Sequence, residues 1–105
     1  MPGNLKTPQV LRFLKDTSFR DYLTVCKSVK TINKNPSCGK FDGGCYYQRS
    51  PNTIYLGNDQ GNIAMAAALI VHETCHVTQD FENREFNEQE CQDISKRYLN
   101  PIVLY

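Results

Sequence analysis

The chain has 105 residues, 40% apolar and 22% charged, and its twelve basic and eleven acidic side chains give a formal charge of +1. These values fit one folded globular domain spanning residues 1–105 and exclude a disordered chain. The near-neutral balance argues against nucleic acid or an anionic membrane as main partner, and the longest apolar stretch, residues 63–71, is too short to span a bilayer.

In chain order, Thr7-Pro8 reads as a helix start, an N-cap hydroxyl followed by proline at the first helical position. Val10, Leu11, Phe13 and Leu14 offer that helix a buried face. Ser18 is placed to cap a second helix, in which Phe19, Tyr22, Leu23 and Cys26 recur at helical spacing as core residues. Loose alternation over residues 28–33 predicts a strand, followed by a glycine-rich loop to Gly44. Residues 45–49 and 53–56 are β-prone runs around Ser50-Pro51-Asn52, the pattern of a hairpin. Residues 57–61 break the sheet. Asn62 then caps a strong helix from residue 63 to about 81. Asn87 with Glu90 three residues later forms a capping box that opens a further helix, residues 88 to about 99, which Asn100-Pro101 should end.

Five cysteines are many for this length, and odd in number. In an oxidising compartment they predict two bridges and one leftover thiol; in the cytosol, buried or metal-bound thiols. Cys38 and Cys45 flank a turn-rich segment that can bring them together, and Cys75 and Cys91 form the other expected pair. The N-terminus does not read as a signal peptide, so the chain either stays in the cytosol or begins after a removed leader. The cysteines favour the second, a secreted or periplasmic setting.

The chemistry concentrates in His72-Glu73-Thr74-Cys75-His76. Two histidines four apart on a helix project from one face and can occupy adjacent corners of a zinc tetrahedron. Glu73 would then face the open coordination position, where it can take a proton from water and hand it to a leaving group. A solvent-facing helix that merely carries two histidines is the bland alternative. A chance match to the motif is on the order of one in several hundred for a chain this long.

Zinc needs a third protein ligand, and Glu82, Glu85, Glu88, Glu90 and Asp93 are the downstream candidates. Five helical residues beyond His76 carry the chain roughly 7 Å away, and the following loop is long enough to return it. That register favours Glu88, in the first turn of a second helix crossing the site. Glu90 is better explained as a cap. Gln92 or Asp93 can support His72 through its other ring nitrogen. A Cys75–Cys91 bridge would pin the crossing; alternatively Cys91 is itself a zinc thiolate in a closed site.

With HETCH followed by a glutamate on the next helix, the chain resembles the gluzincins, metallopeptidases that pair H-E-x-x-H with such a glutamate. The resemblance implies an α+β, minimal zincin-like fold: a small antiparallel or mixed sheet packed on the motif helix and the glutamate-bearing helix. It implies zinc held by His72, His76 and Glu88, Glu73 as catalytic base, and a peptide or protein substrate lying along residues 45–49 by strand addition. In gluzincins an aspartate or asparagine follows the glutamate by four residues; Gln92 stands there in this chain. Tyr46, Tyr47, Tyr98, Arg84 and Arg97 are the candidate oxyanion donors. The expected protein is a monomeric zinc peptidase whose cleft is shallow, completed by a partner, or absent. The alternatives are a zinc-stabilised binding or scaffold module and a catalytically silent effector.

Overall fold

The computed structural model describes residues 6–34, 44–48, 51–57 and 62–103. Its elements run α1 (Thr7–Thr17), α2 (Phe19–Ser28), β1 (Thr31–Lys34), β2 (Gly44–Tyr46), β3 (Thr53–Leu56), α3 (Ile63–Phe81) and α4 (Glu88–Val103). The class is α+β, with a three-stranded mixed sheet in the order β1-β3-β2. β1 pairs parallel to β3, while β2 and β3 form the expected antiparallel hairpin, with Cys45 opposite Tyr55. Asn52, in the turn before β3, takes a positive φ of 65° and donates its side-chain amide to Ser28 O. Asparagine tolerates that left-handed geometry better than most residues. Among the described residues no helix is long and apolar enough to cross a membrane.

α3 is the spine. Asn62 Oδ1 accepts from Met65 N–H at its start, the predicted cap. Ala66, Ala67, Ala68 and Ile70 are buried beside Ile54 and Leu56 of β3 and Leu14 and Val10 of α1. Full burial of a side chain such as Leu14 or Ile70 contributes about 1.5–3 kcal/mol. α3 ends in a Schellman arrangement. Asn83 takes φ 58°, its N–H bonds Asp80 O, and Arg84 N–H reaches back to Gln79 O.

Three local expectations are corrected. The N-cap of α1 is Lys6, with Thr7 and Pro8 already helical, and the side chain of Gln9 accepts from Lys6 N–H. In α2, Ser18 caps as predicted, but the buried residue is Val25, while Phe19 and Leu23 are 54% and 49% exposed and Cys26 is exposed. One side of α2 packs on the rest of the fold, and the apolar residues outnumber the positions that side can hide. Finally, α4 continues through Pro101 to Val103. A proline this close to a helix end removes a single backbone bond, and Ile102 packs against the core from the extra turn.

Cys75 and Cys91 are bridged, with Cα atoms 5.4 Å apart, joining α3 to α4. Cys45 is also disulfide-bonded, and Cys26 is a free thiol. Cys38, the partner expected for Cys45, lies outside the described residues, as do Arg49, Ser50 and most of the 57–61 loop.

Candidate metal centre

α3 presents two faces. Val71, Thr74, Cys75 and Thr78 look toward α2 and the middle of α4, while Leu69, His72, Glu73 and His76 line an open cleft. The opposite wall is Cys45 and Tyr46 of β2, and Phe86 of the turn before α4, with Glu88 and Gln92 of α4, closes the cleft. β2 is held there by α3 itself, since Tyr46 Oη donates to Asp80 Oδ2 at 2.6 Å and Gln48 Nε2 to Asp80 Oδ1 at 3.1 Å. Burial and that contact with Asp80 push the Tyr46 phenol up to about 12.

His72 and His76 stand one turn apart with ring centroids 5.1 Å apart. Glu88 arrives from the first turn of α4 and lies against both. Its Oε1 is 2.5 Å from His72 Nε2 and its Oε2 3.2 Å from His76 Nε2. One ligand atom from each of the three residues falls within 4.8 Å of the others. Tetrahedral coordination at roughly 2.0–2.1 Å sets donors about 3.3 Å apart, so small adjustments would seat an ion. Exposed glutamates are common without metals, so the two largely buried imidazoles carry the fit more than the exposed Glu88 does. Two imidazoles and a carboxylate suit zinc and several other first-row divalent ions. Of the candidate third ligands, Glu82 and Glu90 engage Arg84 instead.

Glu73 lies at the floor of the cleft, 5% exposed, with Oε2 3.9 Å from His72 Nε2. Burial, and secondarily the charge of Glu88, push its carboxyl up to about 8. Without a cation nearby, burial thus favours its neutral form. A bound dication would favour the ionised form.

The partner of the histidine pair that sequence reasoning missed is Gln79, which is fully buried. Its Oε1 lies 3.0 Å from His76 Nδ1 and also accepts from Asn87 N–H, while its Nε2 donates to Asn87 O and Glu90 Oε1. Gln79 falls three residues after His76 on one helix, the one signal available in the sequence. Glu90 consequently does not complete the predicted capping box. Asn87 Oδ1 caps Glu90 N–H, but the Glu90 carboxylate takes Gln79 and Arg84, which hold it below the usual carboxylate range. Asp93 accepts from Gln89, and Gln92 lines the cleft without a hydrogen bond to His72 among the described residues.

Of the five candidate oxyanion donors, Tyr46 alone lines the cleft, and its proton goes to Asp80. Tyr98 is buried against Thr17, Tyr47 packs on Tyr55, Arg84 is paired with glutamates, and Arg97 lies on the far side of α4.

No protein-family model, curated protein or solved structure matches this chain.

Proposed function

We propose that the protein is a small zinc-dependent peptidase of gluzincin type, with His72, His76 and Glu88 holding the metal. The observation that carries this reading is the position of Glu73, a buried carboxyl on the floor of the same cleft that gathers the three ligand atoms. A helix used only to bind metal has no need of a buried acid there, because burying an ionisable carboxyl is costly. When bound, the metal supplies a Lewis acid for a peptide carbonyl and lowers the pKa of water at its open position. Glu73 Oε2 then accepts the proton of the attacking water and delivers it to the departing amine. Tyr46, Leu69 and Phe86 give the cleft apolar walls, which exclude water from a bound chain.

Glu73→Gln should keep fold and metal content while removing cleavage of a peptide library. Equal cleavage by that variant sinks the mechanism. Metal analysis of the wild type beside His76→Ala and Glu88→Ala tests the ligand set, which fails if all three carry the same metal.

A second reading, a zinc-stabilised binding or scaffold module, is favoured by the lack of a free oxyanion donor in the cleft among the described residues. It predicts no turnover of any peptide and a large loss of thermal stability on chelation.

A further inference from the structure

We propose that Gln79 is a positioning residue of the metal centre, which presets His76 to coordinate through Nε2 and locks the turn that delivers Glu88. The inference rests on the metal-binding reading and is independent of peptide hydrolysis.

The orientation of the Gln79 amide follows from its neighbours. On one side stand the carbonyl of Asn87 and the carboxylate of Glu90, both acceptors, at 3.1 and 2.8 Å. On the other stands the backbone N–H of Asn87, a donor, at 3.1 Å. A flipped amide would set its oxygen against two acceptors and its NH2 against a donor, so Nε2 and Oε1 can be arranged in one way only. Oε1 is therefore the atom 3.0 Å from His76 Nδ1. An oxygen that only accepts requires a proton on Nδ1.

The second neighbour of Nδ1 agrees. Cys91 Sγ lies 3.6 Å away, and because it is bonded to Cys75 it has no S–H to donate. Every group facing Nδ1 is thus an acceptor. Nε2 also faces an acceptor, Glu88 Oε2 at 3.2 Å. That carboxylate is exposed, whereas the Gln79 amide is buried and fixed by three further bonds, so the proton goes to Nδ1 and leaves the lone pair on Nε2. His72 has no comparable hydrogen bond behind it among the described residues, so the two rings differ before any metal arrives.

The same amide acts on the third ligand. Its two bonds to the backbone of Asn87 fix the residue immediately before Glu88, and its bond to Glu90 fixes the residue two beyond. All four hydrogen-bonding positions of a fully buried side chain are used: one on the His76 ring of α3 and three on groups at the start of α4.

The test is the His76 tautomer, read by nitrogen-15 NMR of the metal-free protein at a pH where both imidazoles are neutral, together with zinc affinity. In the wild type, His76 should carry its proton on Nδ1. Gln79→Met, near in size but without the amide, should release His76 into a tautomer mixture and weaken zinc binding about 10- to 100-fold. Gln79→Glu, which keeps an acceptor against Nδ1, should recover the tautomer while its charge opposes Glu90. A wild-type His76 protonated on Nε2 overturns the proposal, whether or not the Met variant folds. So does a Met variant that folds and binds zinc like the wild type. If the wild type binds no zinc, the metal reading fails and the positioning role fails with it, whereas loss of peptidase activity alone touches neither measurement.

Discussion

The two halves of the molecule are held together by different means. α1 and α2 attach to the rest mainly through apolar packing of Val10, Leu14 and Val25. Among the described residues two long-range side-chain hydrogen bonds add to it, Thr17 to Tyr98 at 2.7 Å and Asn52 Nδ2 to Ser28 O at 2.9 Å. The α3–α4 pair has a disulfide, a fully buried amide with four partners, and a bidentate Arg84–Glu90 contact. Apolar packing tolerates small displacements; hydrogen-bonded and covalent links fix distance and angle. The directional links are densest around His72, His76 and Glu88, while the first half relies mostly on packing.

Four variants test that contrast. Leu14→Ala should have the largest effect on stability, about 2–5 kcal/mol by urea unfolding, because Leu14 is fully buried. Its metal affinity, measured on the folded fraction, should stay at the wild-type value; a matching loss would show the halves are not separable. Replacing Cys75 and Cys91 together with alanine should cost about 3 kcal/mol for a bridge spanning 16 residues. Here metal affinity should fall too, and unchanged affinity would remove the covalent link from the account of the site.

The third concerns acid. The Glu90 carboxyl is held below its usual 4.5 by the Gln79 amide and by Arg84. A group whose pKa is lowered by folding contributes stability above the unfolded value, and that contribution disappears as pH falls through the folded value. Glu90→Gln should therefore flatten the acid side of the stability profile while having little influence on its slope near neutrality. The smallest effect belongs to the loosely held half. Phe19→Ser should change stability by no more than about 0.5 kcal/mol, since that ring is mostly exposed.

What was legible in the sequence was carried by local rules. Asn62 and Asn87 cap the helices they were read to cap, and the hairpin of β2 and β3 falls where the β-prone runs lie. His72, His76 and Glu88 come together because helical spacing and a short return loop leave few other arrangements. The Cys75–Cys91 bridge follows from the same crossing. What escaped depends on contacts that only the folded arrangement decides. Glu90 fits a capping box by spacing, yet Arg84 and Gln79 compete for it in space and win. Nothing local marks Val25 rather than Phe19 as the buried residue of α2, because only the direction of packing decides it. Pro101 reads as a stop, but a helix end with core contacts beyond it can absorb one missing bond.

The bridge between α3 and α4 closes a covalent ring around the turn of residues 82–87, and every residue of that turn is exposed. A protease that nicks the turn would leave one fragment carrying His72, Glu73 and His76 and another carrying Glu88. Those fragments would migrate as one band on a non-reducing gel and as two after reduction. Cutting the chain at one of its most accessible stretches would therefore not disperse the ligands, and the nicked protein could be assayed for bound metal as a single particle.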